Sequence, residues 1–516
     1  MMLRIAASVA AAVVFGGLAT TPNVAPPVQT ESGLVVGGRE HSAVVFKGIP
    51  FAAPPIGDLR WRAPIAPHSW TGVRKADRFS PICMQKGFYP PDAPVEPMSE
   101  DCLYLNVWVP TTSKTAKLPV MVWIYGGGLE NGSASTPLYS GERLAQKGVI
   151  VVTANYRLGV FGFLAHHDLS AESADHSSGN YGLLDQIRAL TWVKRNIAAF
   201  GGDPNRVTVF GQSSGSISIS ALTTSPLARN LFQRAIGESG GLFEPLDIAP
   251  AFKLAGAEQD GKAFVARAGR STLQDLRQLS APELMKTSFD AHLIIDGHAL
   301  TQSPYDAYRK GQQNDVALLI GSNADEGNTF IAGRTITVEN FTRELGRDFS
   351  DALVRAIAPQ SGTTDLLARD SAAAFERDMR FRWDMWTWAR LGANAGRGKV
   401  FFYQFTRVPP YRAGDKYFGW GASHGMEMQY VFDHIDQTQL SWTRHDRTLA
   451  SDMSTYWTNF AKYGDPNGAG LPIWPEFSAS TQQVMQLGDE IKPHILQDEG
   501  ALKRIDRVYA GAQSPR

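Results

Sequence analysis

Three serines in this chain sit in the pattern Gly-x-Ser-x-Gly: Ser213 between Gly211 and Gly215, Ser239 between Gly237 and Gly241, and Ser423 between Gly421 and Gly425. Such a pattern can carry a nucleophile when it joins a strand to a helix, because the sharp turn lifts the hydroxyl above the sheet edge. The glycines then avoid the β-carbons that would clash where strand and helix pass closely. Context separates the three. The β-branched run Val207-Thr208-Val209-Phe210 leads into Ser213, and small residues suited to a close-packed helix follow as far as Ile217. Ser239 instead runs into Leu242-Phe243-Glu244-Pro245, a poor helix start, and Ser423 follows Phe418-Gly419-Trp420, which is no strand. Ser213 is therefore the candidate nucleophile.

A serine nucleophile needs a base, a group that orients the base, and donors for a developing oxyanion. Tyr125-Gly126-Gly127-Gly128-Leu129 closes an apolar strand with three glycines, whose backbone N–H groups are left open to a ligand. The N–H of Ser214 is the further donor. Eleven histidines compete for the base. His424 lies in a Gly-flanked loop, where a histidine is commonly a solvated bystander, and local sequence leaves His41, His68 and His298 open as well. For the acid, Ala324-Asp325-Glu326-Gly327 follows a buried strand and offers two adjacent carboxylates, which could equally serve a turn or an N-cap. The order serine, acid, histidine is the one α/β-hydrolases use.

Elements able to position these groups are legible around them. Gly33–Gly38 and Ala43–Phe46 read as a hairpin, and the following stretch to Pro55 is too rich in proline for a strand or helix interior. Strands are expected at Leu105–Val109, Pro119–Tyr125, Gly148–Ala154, Arg234–Ile236, Val316–Ile320 and Lys399–Phe405. Helices are expected at Asn180–Phe200, Phe375–Leu391 and Ser451–Tyr463. Continuous apolar strands alternating with helices predict an α/β fold with a mostly parallel central sheet, in which ligands sit at the carboxyl ends of the strands.

Composition narrows the partners. The chain has 516 residues, 43% of them hydrophobic, and its 50 Lys+Arg balance 50 Asp+Glu. No net charge draws it to nucleic acid or to an anionic membrane, which leaves a small, largely neutral molecule as the expected partner. Arg4 followed by the mostly apolar Ile5–Ala19 reads as a secretory signal, with cleavage near Leu18-Ala19-Thr20 or Asn23-Val24-Ala25. The expected organisation is a signal over residues 1–25 and one domain over 26–516, exported and without a stable membrane anchor. Cys83 and Cys102 are the only two cysteines, and in an oxidising compartment they are expected to form a structural bridge rather than a metal site.

Longer motifs carry a family resemblance. Phe46-Lys47-Gly48-Ile49-Pro50-Phe51-Ala52, Ser99-Glu100-Asp101-Cys102-Leu103-Tyr104-Leu105-Asn106 and Tyr125-Gly126-Gly127-Gly128 resemble the type-B carboxylesterases, the cholinesterase-like branch of the α/β-hydrolases. Asn155-Tyr156-Arg157-Leu158-Gly159, Asn180 to Gln186, Phe200 to Pro204 and Tyr456 to Ala461 extend the resemblance over nearly the whole mature chain. It implies an α/β-hydrolase fold and a serine esterase without metal or cofactor. It implies Ser213 as nucleophile, Glu326 rather than Asp325 as the acid, and His424 as the base. It also implies an oxyanion hole at the N–H groups of Gly127, Gly128 and Ser214, and a Cys83–Cys102 disulfide.

Departures from the family pattern bear on substrate. The elbow of this family usually reads Gly-Glu-Ser-Ala-Gly; Gln212 and Ser214 replace the Glu and Ala. Gln212 removes a negative charge beside the nucleophile and weakens the case for a cationic substrate. Leu129 replaces a more usual Phe after the glycines, and the disulfide loop carries Phe88 and Tyr89 but no Trp. Tyr125, Phe330, Phe381, Trp383, Trp386, Phe418 and Trp420 are candidates to line an apolar gorge. The expected activity is general carboxylic-ester hydrolysis. A lactonase, a thioesterase or an esterase of bulky natural products uses the same residues, and a non-catalytic binding protein is the remaining alternative.

Overall fold

Seven parallel strands, flanked by antiparallel ones at both ends, set the positions of all the candidate groups. The computed structural model describes residues 25–40, 42–87, 96–111, 117–245, 252–396, 398–437, 439–497 and 499–513. The expected signal segment lies outside these apart from Ala25, as do His41, Phe88 and Tyr89.

The large sheet has eleven strands. In chain order they are β1 (Gly38–Glu40), β2 (Ala43–Pro50), β3 (Tyr104–Pro110), β4 (Leu118–Ile124), β5 (Ile150–Ala154), β6 (Gly202–Gln212), β7 (Arg234–Glu238), β8 (Ala317–Asn323), β9 (Val400–Phe405), β10 (Gln483–Leu487) and β11 (Ile491–Ile495). Their order across the sheet is β11-β10-β9-β8-β7-β6-β4-β5-β3-β2-β1, parallel from β10 to β5. In β5 every residue is buried, and in β4 all but Leu118. Central parallel strands are covered on both faces, so their sequences run apolar without alternation. The chain has the α/β-hydrolase fold.

The main helices are α1 (Tyr181–Asn196), α2 (Ser214–Leu222), α3 (Asp365–Arg377), α4 (Trp383–Ala395) and α5 (Arg444–Tyr463). Neighbouring residues of β7 show that they cover both faces. A β-carbon at Gly237 would meet Trp388 of α4 at 2.6 Å, whereas the next residue, Glu238, accepts a 2.8 Å hydrogen bond from Trp457 Nε1–H of α5. Successive strand residues point to opposite faces, so α4 and α5 sandwich the sheet.

The steric constraint that bears on the site is at the junction of β6 and α2. A β-carbon would lie 2.4 Å from the Ile124 carbonyl oxygen if added at Gly211 and 2.1 Å from it if added at Gly215. Backbone packs on backbone there, and only glycine permits it.

Several expected elements differ in the structure. The single hairpin does not form: Gly33–Val36 pairs with Val28–Thr30 and Val73–Lys75 in a separate small sheet, while Ala43–Pro50 pairs with Gly38–Glu40 and with β3. Val28-Gln29-Thr30, behind two prolines, carries no strand signal of its own, yet it captures Gly33–Val36 across the turn at Glu31-Ser32. Nor does the proline-rich stretch end the strand early. β2 continues to Pro50 through an irregularity between Phe46 and Ile49, and proline is tolerated at that terminal position. The helix expected from Phe375 begins ten residues earlier, where its buried face is made of Ala368 and Ala372 while Leu366 and Leu367 are exposed. A five-residue π-turn, Asp378–Arg382, then interrupts it before α4. Helix α5 starts at Arg444, behind a capping box between Thr443 and Asp446. Strands β10 and β11 have no counterpart among the expected elements.

Cys83 and Cys102 are joined in a disulfide across a sequence separation of 19. Among the described residues no helix is long and apolar enough to cross a membrane.

Two consequences are measurable. Gly215→Ala forces a β-carbon into the Ile124 carbonyl and is expected to cost about 1–3 kcal/mol and most of the esterase activity; a variant with native melting temperature and native activity contradicts the packing described. The Cys83→Ser/Cys102→Ser double variant is expected to lose about 3 kcal/mol, or about 3 °C in melting temperature for a domain of this size, and an unchanged melt contradicts a stabilising bridge.

Candidate active site

β6 ends at Gln212 and α2 begins at Ser214, so Ser213 alone makes the turn. Its φ of 56° and ψ of −127° lie outside the regions that L-residues favour, which costs on the order of 1–3 kcal/mol. Two backbone hydrogen bonds hold it there: Ser213 N–H donates to the Glu238 carbonyl at 2.8 Å, and the Ser213 carbonyl accepts from Ile217 N–H at 2.9 Å. Ser239 also has a positive φ, 58°, but it is fully buried and no helix follows. Ser423 is fully buried too. Of the three motif serines only Ser213 is partly exposed.

The candidate acid and base come from loops that follow β8 and β9. Asp325 accepts a 2.8 Å hydrogen bond from Ala422 N–H and donates its own N–H to the Ala422 carbonyl at 3.0 Å. Asn323 Nδ2 donates to the Ser423 carbonyl at 2.8 Å, and His424 N–H donates to Thr329 Oγ1 at 3.3 Å. These bonds fix the histidine loop, and Glu326 is the neighbour left to meet the ring: its Oε1 lies 3.1 Å from His424 Nδ1. The Glu326 side chain is fully buried and that of His424 is 13% exposed. The two adjacent carboxylates thus have different positions, one on backbone and one on imidazole. His68 is exposed and His298 lies 3.4 Å from Asp175, so neither joins this cluster.

Around the ring, Gln212 Nε2 lies 3.2 Å from His424 Nε2 and 3.5 Å from Nδ1. Phe381 stacks on the imidazole at 4.3 Å between centroids and 15° between planes, and Phe330 lies at 5.6 Å. Among the described residues no hydrogen bond joins Ser213 to His424. Such bonds are commonly long without substrate and tighten in the complex.

The glycine turn after β4 lies against the elbow. Gly127 and Gly128 have φ of 113° and 67°, and Leu129 N–H donates to Ser214 Oγ at 3.1 Å. The N–H groups of Gly127, Gly128 and Ser214 have no hydrogen-bond partner among the described residues. Gly159 N–H donates to the Leu129 carbonyl at 2.8 Å, tying the turn to the loop that carries Arg157. The Arg157 guanidinium meets the Asp185 carboxylate twice, at 2.7 and 2.8 Å, and both are buried. Burial pushes the Asp185 carboxyl upward against the opposing pull of Arg157. The site therefore rests on a buried ion pair, whose loss of one partner costs about 3–5 kcal/mol.

A second group of acids stands behind Glu326. Burial pushes Glu427 up to about 8, and burial together with the Glu427 charge pushes Glu238 well above the usual carboxylate range. Both shifts disfavour the charged carboxylate beside the candidate base. Sequence reasoning missed this pair and the contact of Gln212 with His424, because nothing in local spacing shows that these side chains converge. Of the gorge candidates, Tyr125, Trp383 and Trp386 are core residues, Phe330 and Phe381 flank His424, Trp420 is half-buried and Phe418 is exposed. Leu129 is buried.

The chain is similar to known proteins over most of its length. The sequence profile of the Carboxylesterase family matches residues 24–502. Fumonisin B1 esterase from Sphingopyxis macrogoltabida is 38% identical over 90% of this chain and 86% of its own, and para-nitrobenzyl esterase from Bacillus subtilis is 34% identical over 90% and 95%. Human cocaine esterase is 33% identical over 92% and 91%. A solved PNB esterase structure superposes with a TM-score of 0.81 at 31% identity, covering 93% of this chain and 99% of that one. With this profile, these relatives and this fold, the chain belongs to the carboxylesterase family and is a carboxylic-ester hydrolase.

Proposed function

We propose that Ser213, His424 and Glu326 form the catalytic triad, with the N–H groups of Gly127, Gly128 and Ser214 as the oxyanion hole. The observation that carries this reading is the 3.1 Å contact between His424 Nδ1 and Glu326 Oε1, next to the one motif serine that is partly exposed. Ser213 Oγ attacks the ester carbonyl carbon while His424 Nε2 takes its proton, and Glu326 balances the imidazolium. The tetrahedral oxyanion is held by the three backbone donors, each worth about 100- to 1,000-fold in rate. Collapse breaks the carbon–alkoxy bond, and His424 returns the proton to the leaving alcohol. His424 then takes a proton from water as the water attacks the acyl-enzyme, and it returns that proton to Ser213 Oγ as the acyl–oxygen bond breaks and the acid leaves.

The substrate class is a neutral or apolar ester. The uncharged Gln212 beside the nucleophile and the rings of Phe330 and Phe381 beside the base support it. The 38% identity to a fumonisin B1 esterase favours a second, narrower reading, hydrolysis of bulky natural-product esters. Residues 26–516 are proposed as one catalytic domain. The Cys83–Cys102 disulfide and the apolar N-terminal segment support export.

On a series of p-nitrophenyl esters of increasing acyl length, Ser213→Ala is expected to lower kcat by about 10⁴- to 10⁶-fold. Glu326→Gln is expected to lower it by about 10³- to 10⁴-fold, by analogy with loss of the orienting carboxylate in other triads. Asp325→Asn, which touches only backbone at Ala422, is expected to cost less than about tenfold. A Ser213→Ala enzyme that keeps its rate, or a larger loss from Asp325→Asn than from Glu326→Gln, overturns the assignment.

A further inference from the structure

We propose that Gln212 and Phe381 are positioning residues that clamp the His424 imidazole between an amide and a phenyl face, and that the neutral amide leaves Glu326 as the one carboxylate answering the charge the ring acquires. The inference rests on the reading of His424 as the base.

The bond to Glu326 holds one edge of the ring at Nδ1 and leaves its two faces to be supported by packing. The Phe381 ring, parallel within 15° at 4.3 Å, supports one of those faces. Gln212, 4% exposed, sits within reach of both ring nitrogens, at 3.2 and 3.5 Å. Its position is set by the elbow, since it is the last residue of β6 and its neighbour Ser213 makes the strained turn. Phe381 is set by the π-turn Asp378–Arg382, a wider turn that re-aims side chains relative to a regular helix.

The chemistry of an amide suits this place. A primary amide is polar but uncharged, so it can lie against the ring, close to both nitrogens, without adding a charge beside the imidazole. A carboxylate there would only accept and would favour the imidazolium. The phenyl face favours the cation by a smaller amount. The other charged groups near the ring are committed elsewhere. Asp325 holds Ala422 N–H, Glu427 on the histidine's own loop is bonded to Asn323, and Arg380 lies over Phe330 at 4.5 Å while bonded to Glu376 at 2.7 Å. Only Glu326 among the charged groups has a bond to the imidazole among the described residues.

The test is the pH dependence of kcat/KM for p-nitrophenyl butyrate, followed at the isosbestic wavelength of the nitrophenol. Gln212→Glu is expected to move the acid limb up by about one pH unit, because an added carboxylate this close favours the charged ring. Phe381→Leu is expected to move it down by about half a unit, and Phe381→Tyr to restore it. Gln212→Met, which keeps bulk without polar atoms, is expected to lower kcat about tenfold while KM holds within about twofold. Thermal melts identify any variant that is misfolded, and the Gln212 and Phe381 arms are read independently. Acid limbs that stay within about 0.2 unit in every folded variant, with kcat unchanged, overturn the clamp. His424→Ala separates the two levels: loss of activity there with unmoved limbs elsewhere removes the clamp alone, whereas retained activity removes the base assignment and the clamp together.

Discussion

The close approach of the β6–α2 junction to the end of β4 is the constraint on which the rest of the site depends. With no side chains at Gly211 and Gly215, both can press on the Ile124 carbonyl, and Ser213 is left at the apex with a backbone conformation that few L-residues adopt. The same approach brings the turn after β4, with Gly127 and Gly128, against Ser214. One steric fact therefore sets two of the three parts that covalent acyl transfer needs, the proposed nucleophile and the proposed oxyanion donors. The strain at Ser213 is offset by its bonds to Glu238 and Ile217 and by the burial of everything beneath it.

The third part, the proposed base, is built on a different principle. His424 lies on a loop with no regular structure of its own, and it is ordered by polar contacts from the loop after β8: Asp325 on Ala422, Asn323 on Ser423, Thr329 on His424 itself and Glu326 on the ring. Such contacts hold geometry only where water is excluded. Behind the site, burial disfavours the charged forms of Glu238 and Glu427. Gln212 extends the pattern to the elbow, placing a neutral group beside the proposed base.

Much of this was legible in the sequence, for identifiable reasons. The apolar runs of β4 and β5 and the spacing of α1 carry strong periodic signals, and the elbow glycines announce a close approach wherever they follow a β-branched run. The two adjacent acids could not be separated by local reading, because the difference between Asp325 and Glu326 lies in which partner each meets across about a hundred residues of chain. The family resemblance chose Glu326, whose Oε1 lies 3.1 Å from His424 Nδ1. The start of α3 was missed because its buried face is alanine, the π-turn because nothing in Asp378–Arg382 distinguishes it from ordinary helix, and β10 and β11 because glutamines, a lysine, a proline and a histidine break up their apolar residues. The clamp on His424 was illegible for the same reason as the acid: it joins residues 212, 381 and 424, which only the fold brings together.

The most direct measurement is covalent labelling with a fluorophosphonate, read by intact mass and by peptide mapping. One phosphonyl group per chain, on Ser213 and suppressed by excess ester substrate, is the expected result. Labelling of Ser239 or Ser423, or hydrolysis that continues in a fully labelled protein, would contradict Ser213 as the nucleophile.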